Sequence, residues 1–182
     1  MKSLLLVIDM QKVFSRKTPW QVPATDEILP RIKRLVAHFD NQVLFSRHIP
    51  PPEPKGSWHS FYQRWRELAL DSTNWDVVDE LKAEPAKVFD KITYSCFGSP
   101  WFVNHMQQNR TSRLIVVGVE TDICVLASVY DAVDAGYSVT VVTDALASGN
   151  GSLHQATLNI LARMPEQVTL VTTSDVLANK VG

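Results

Sequence analysis

Apolar residues along this chain follow two alternating rhythms. Short runs rich in β-branched residues occupy 3–8, 42–46, 86–90, 114–119, 138–143 and 168–172. Several are apolar throughout rather than at every second position, the pattern of strands covered on both faces. Between them lie longer stretches, 26–39, 122–135, 152–163 and 174–180, with the spacing of amphipathic helices. A further helix begins at Ser99 and Pro100, a serine N-cap followed by a proline at the first helical position, and Gly136 closes the helix 122–135.

Elements in this order predict an α/β chain: a three-layer α/β/α, Rossmann-like fold around a six-stranded, mostly parallel sheet. With no repeat, low-complexity tract or composition break, 1–182 reads as a single domain, as its length suggests at roughly 150 residues per domain. One stretch breaks the rhythm. Residues 47–76 hold four prolines together with Trp58, Phe61, Tyr62, Trp65 and Trp75. A connection this long reads as a functional loop or lid.

Composition narrows the function classes. With 18 Lys+Arg against 19 Asp+Glu the formal charge is −1, which leaves no electrostatic footprint for nucleic acid. The basic cluster Arg31, Lys33 and Arg34 falls on a solvated helix face. The apolar opening stops at Asp9, too short for a signal peptide or a membrane span. A cytoplasmic protein with no nucleic-acid partner and no membrane partner is expected. Two cysteines make no disulfide framework, so each is either a packed hydrophobe or a reactive thiol.

Parallel sheets bind ligands at the carboxyl ends of their strands. Asp9 follows the first strand, Lys91 follows the third, and Cys124 lies in the first turn of the helix after the fourth. If those strands are neighbours, a carboxylate, an ammonium and a thiol share one crevice. Such a set supports nucleophilic chemistry. A helix N-terminus and an ammonium favour the thiolate and lower the thiol from about 8.5, while the carboxylate takes and returns a proton. Backbone N–H groups around Glu120 and Cys124 are the candidate oxyanion hole. Each residue also has an ordinary reading, as a cap, a solvated ammonium or a buried, inert thiol. Cys96 lacks a helix-end environment and is read as packing. Phe14, Trp58, Tyr94 and Phe97 are candidates for a pocket wall, and Gly149-Asn150-Gly151 fits no phosphate-loop pattern and reads as a turn.

The segment Asp9-Met10-Gln11-Lys12-Val13-Phe14 matches the D-x-Q-x-x-F opening of the isochorismatase-like cysteine hydrolases. Lys91-Ile92-Thr93-Tyr94-Ser95-Cys96-Phe97 resembles their lysine segment, and Gly118-Val119-Glu120-Thr121-Asp122-Ile123-Cys124-Val125 their nucleophile segment. Residues 127–136 and Thr143-Asp144-Ala145 are also similar, so the resemblance covers essentially the whole chain. It implies a catalytic triad of Asp9, Lys91 and Cys124, a covalent thioester on the cysteine with release of ammonia or an amine, and a cis peptide before Glu120. It further implies assembly as a homodimer or homotetramer.

Family members that cleave the enol ether of isochorismate commonly lack the cysteine, so Cys124 favours C–N cleavage, of amide or ureide type, in a small-molecule substrate. Nicotinamidases of the family hold a zinc-type metal through an Asp-x-His pair and a further His. Here the matching positions are Ser46-Arg47-His48, then His59. The carboxylate is missing, so no metal and no other cofactor is expected, and His48 and His59 order the loop or line the pocket. The alternatives are a nicotinamidase or an isochorismatase-type hydrolase within the family, and a scaffold of the same shape that has lost activity. A phosphate-binding or signalling module would want an acidic cluster after the first strand, where only Asp9 stands.

Overall fold

In the computed structural model, which describes residues 2–179, the six apolar runs form one sheet. The strands are β1 (Ser3–Ile8), β2 (Val43–His48), β3 (Val88–Lys91), β4 (Arg113–Val119), β5 (Ser138–Ala147) and β6 (Val168–Val171), in spatial order β3-β2-β1-β4-β5-β6. Every neighbouring pair is parallel, so the sheet is more regular than the mostly parallel one expected. The connections carry α1 (Lys12–Ser15), α2 (Thr25–Phe39), α3 (Ser57–Arg64), α4 (Arg66–Leu70), α5 (Pro100–Gln108), α6 (Leu126–Asp134), α7 (Gly151–Leu161) and α8 (Thr173–Leu177).

Alternation along each strand sends side chains to two cores. Leu5, Val7, Phe45, Ile115 and Val117 pack with Ile28, Ile32 and Leu35 of α2 and Val176 of α8. Leu4, Leu6, Leu44, Leu114 and Val116 pack with Phe102 and Met106 of α5, Val129 of α6 and Leu161 of α7. Both faces are therefore dry, which is why these strands lack a polar alternation. Among the described residues no helix is long and apolar enough to cross a membrane.

The chain builds β1, β2 and β3 to one side, then returns to lay β4 on the other side of β1. That reversal makes the β1/β4 boundary the switch point where a crevice opens. The two strands meet closely there. Gly118 pairs with Ile8 at φ +115°, and a Cβ on it would collide with the Ile8 carbonyl oxygen, so only glycine fits.

Several expectations change. The connection expected to hold a loop and a helix carries α3, α4 and the 3₁₀ turn Ser72–Trp75 after an irregular, proline-rich start, so 47–76 is more structured than one long loop; elements this short carry too little periodicity to bound from sequence. The expected helix 122–135 opens as a π turn, Thr121–Val125, before α6 begins, an irregularity frequent at functional sites. Pro100 is the first residue of α5, but the Ser99 side chain makes no cap bond. Asn150 caps α7 by accepting from the N–H groups of Ser152 and Leu153, so the glycine-rich turn is a helix start. The expected helix 174–180 corresponds to α8, and residue 180 lies outside the described residues.

Candidate active site

Asp9 leaves β1 at the switch point with φ +48°, a conformation that aspartate tolerates better than most residues. Its N–H donates to Ser46 Oγ at 3.2 Å, and the Ser46 hydroxyl donates to Asp9 Oδ1 at 2.6 Å. Lys91 is the last residue of β3 rather than the residue after it, and β3 is separated from β1 by β2. Two strand spacings amount to about 10 Å, a gap that calls for a long side chain. The Lys91 ammonium stands 2.7 Å from Asp9 Oδ2, both side chains being fully buried, and donates to the Thr93 carbonyl at 3.1 Å. Apart from this contact, Oδ2 has no nitrogen or oxygen donor among the described residues.

Cys124 lies in the π turn with its thiol buried, close enough to Asp9 and Lys91 to feel both charges. Burial first, and then the Asp9 charge, push the thiol well above its ordinary value against the pull of Lys91. The expected lowering is therefore reversed, and the resting group is the thiol. Burial alone would lower the Lys91 ammonium, but the charges of Asp9 and of a Cys124 thiolate outweigh it and hold the ammonium above its usual value. Lys91 thus stays charged through the neutral range.

Cys124 lines a cavity of about 370 Å³ together with Phe14, Trp20, Phe61, Trp65, Tyr94, His48, Glu120, Ile123 and Gly149. Trp58 and Phe97 are not in this lining. Trp58 packs behind it, its ring centroid 4.9 Å from Tyr94 and 5.7 Å from His48. Phe97 turns to the opposite core, edge-on to Phe102 at 5.2 Å and 5.8 Å from Tyr137, because it sits in the 3₁₀ turn Cys96–Gly98 that leads into α5. Cys96 is fully buried; burial lifts its thiol to about 11. The Val119–Glu120 peptide is cis, as the resemblance implies, and Glu120 Oε2 accepts the Gly149 N–H at 2.7 Å.

The isochorismatase domain family matches residues 3–175. The chain belongs to the isochorismatase family. This isochorismatase-family chain is 30% identical over 164 residues to Nicotinamidase 3 of Arabidopsis thaliana, covering 87% of this chain and 79% of that protein. Among solved structures, an isochorismatase family protein from Desulfovibrio vulgaris superposes with a TM-score of 0.86 at 22% identity, over 100% of this chain and 99% of that one. N-carbamoylsarcosine amidase from Thermoplasma acidophilum superposes with a TM-score of 0.78 at 20% identity, over 95% and 97%. At these identities the two structures establish the fold.

Within the family frame, His48 is specifically occupied. Its Nδ1 lies 3.3 Å from the Thr93 carbonyl and so donates, which leaves Nε2 to accept the Tyr62 hydroxyl at 2.6 Å. Burial and the nearby Lys91 lower its pKa to about 4, so it is neutral near pH 7. His59 Nε2 is 2.9 Å from the Gln63 amide. Among the described residues no group of three or more His, Cys, Asp and Glu side chains is placed to hold a metal ion.

Two residues carry weight that their sequence context did not announce. Gln11, fully buried, accepts the His48 N–H at 2.8 Å and donates to the carbonyls of His48 at 3.0 Å and Trp75 at 2.8 Å. It stands in the opening motif, but spacing alone assigns it no partner. Trp20, in the connection between α1 and α2, has its ring centroid 6.1 Å from Phe14, 5.5 Å from Phe61 and 6.0 Å from Trp65, and no pattern in the sequence singles it out.

Proposed function

We propose that this isochorismatase-family hydrolase cleaves a C–N bond, of amide or ureide type, in a small molecule through a thioester on Cys124. Asp9 shuttles the proton and Lys91 holds charge. The observation that carries the reading is the buried 2.7 Å Asp9–Lys91 pair beside a thiol that lines the cavity. The names of two similar proteins, a nicotinamidase and an amidase, support the same bond type.

The raised thiol dictates the order of events. Because the sulfur rests protonated, attack on the substrate carbonyl carbon is concerted with transfer of the S–H proton to Asp9 Oδ2, the oxygen that Ser46 does not hold. Lys91 stabilises the negative charge as it moves from Asp9 to sulfur. The N–H groups of Glu120 and Cys124 receive the oxyanion. Asp9 then returns the proton to the nitrogen, the C–N bond breaks, and ammonia or an amine leaves. Water, deprotonated by the same carboxylate, adds to the thioester carbonyl; the C–S bond breaks, and sulfur regains its proton as the acid departs.

Intact-mass measurement after rapid quenching with a turned-over amide detects the acyl group on Cys124, and the Cys124→Ala variant shows neither adduct nor turnover. Full activity in that variant overturns the reading. The likeness to Nicotinamidase 3 favours nicotinamide as the first amide to assay. Ammonia release from it that disappears with a chelator and returns with zinc would make the chain a metal-dependent nicotinamidase instead.

A further inference from the structure

We propose that the substrate carries a cationic nitrogen, quaternary or protonated, on a compact apolar frame beside the scissile bond, and that carboxylate-bearing amides are rejected. This assigns a substrate class within the hydrolase reading above and rests on it. Among the described residues no Lys or Arg lines the cavity. The ammonium that lies near its reacting end, Lys91, is already matched by Asp9, so with a protonated thiol the trio adds no net charge. His48 is neutral and both its ring nitrogens are engaged, so it offers no charge to an anion. Arg64 stacks on Trp65 at 4.9 Å but stands outside the lining.

What the cavity does present is aromatic and acidic. Trp20 lies nearly parallel to Phe14, tilted by 42° to Phe61 and edge-on to Trp65 at 79°, so rings in several orientations share one wall. Ring faces carry a negative quadrupole that attracts cations once water is displaced. Glu120 supplies a carboxyl to the lining, fixed by the Gly149 N–H. Asp122, two residues away, adds a second negative charge, and its buried Oδ1 has no hydrogen-bond donor among the described residues. Burial, and in lesser part this neighbour, already raise the Glu120 carboxyl. A ligand cation offsets the Glu120 charge, whereas a ligand carboxylate in the cavity would place a like charge beside Glu120, with Asp122 close behind it.

Three amides on one frame separate the cases: benzamide, 3-(trimethylammonio)benzamide and 3-carboxybenzamide. Their binding is measured by calorimetry to the Cys124→Ala protein, with Cys124→Ser as a second non-reactive variant, and their kcat/KM with the unaltered enzyme. The cation is expected to bind about tenfold more tightly than benzamide, and the carboxylate at least about tenfold more weakly. Glu120→Gln is expected to shrink the cation's advantage to about threefold or less. A cation that binds no better than benzamide, a carboxylate that binds as well as the cation, or an advantage that survives Glu120→Gln overturns the proposal. Binding to the non-reactive variants needs no turnover. Preferential binding without hydrolysis by the unaltered enzyme would therefore sink the hydrolase reading alone, and hydrolysis without charge preference would sink this inference alone.

Discussion

The Ser46 hydroxyl both donates to Asp9 Oδ1, at 2.6 Å, and accepts from the Asp9 N–H, at 3.2 Å, so a residue of β2 fixes the carboxylate at the end of β1. One oxygen of Asp9 is thereby held by a neutral hydroxyl. The other, Oδ2, is turned to Lys91 at 2.7 Å.

Removing that hydroxyl should show in turnover rather than in substrate binding. A hydrogen bond to a charged group contributes about 1.5–3 kcal/mol, so Ser46→Ala should lower kcat by about ten- to a hundredfold while KM changes little. Steady-state kinetics on any turned-over amide, beside a melting curve to confirm the fold, decides this. A KM effect without a kcat effect would place Ser46 in binding instead.

The reactivity of Cys124 should run against the usual intuition about catalytic thiols. Its thiol is raised by burial and by Asp9, so alkylation by iodoacetamide at pH 7 should be slower than for free cysteine and should climb steadily above pH 9. Asp9→Asn removes the neighbouring negative charge, which moves the thiol back down; alkylation near pH 8 should then be faster than in the unaltered protein, while hydrolysis is lost. Rate measurements across pH with mass-spectrometric assignment of the labelled site test both halves. Faster labelling of the unaltered protein than of Asp9→Asn at pH 8 refutes this account.

Lys91 should matter to stability as well as to rate. Lys91→Met leaves the Asp9 carboxylate buried without its counter-charge, a loss of about 3–5 kcal/mol, visible as a lower midpoint in urea. The ammonium is raised in the folded protein, so its stabilisation is fully present below its unfolded value near 10.5 and is lost only as pH climbs through the higher folded value. Across pH 7 to 10 the difference between the unaltered protein and Lys91→Met should therefore stay flat with respect to this group, as urea midpoints at each pH will show.

The strands were legible because a sheet dry on both faces needs uninterrupted apolar runs, and the positions of Asp9 and Cys124 followed from where two such runs end. Lys91 was harder to place. Its strand is not a neighbour of β1, and only the reach of its side chain across β2 joins it to Asp9. The thiol's acidity is not legible in the sequence, because helix-end and ammonium effects can be read from spacing, whereas the enclosure that opposes them depends on packing from distant segments. For the same reason the sequence groups Phe97 with the candidate wall aromatics, yet the 3₁₀ turn between Ser95 and Ser99 sends it to the other core. Gln11 and Trp20 act through partners far along the chain, Gln11 through Trp75 and Trp20 through Phe61 and Trp65, and no local rule names those partners.

The two halves of the cavity rest on different kinds of support. Asp9, Lys91 and Cys124 stand at or just beyond the ends of strands whose spacing is set by main-chain pairing, and Gly118 leaves little slack between β1 and β4. In the aromatic wall residue 20 meets residues 61 and 65 through ring contacts, with Trp20 as the ring that touches both. Substitutions in that wall can alter which molecule is admitted without moving a reacting atom. On the proposed mechanism, this separation lets the scaffold change what it admits while keeping its reacting groups, with Trp20 as the position that couples residues 61 and 65.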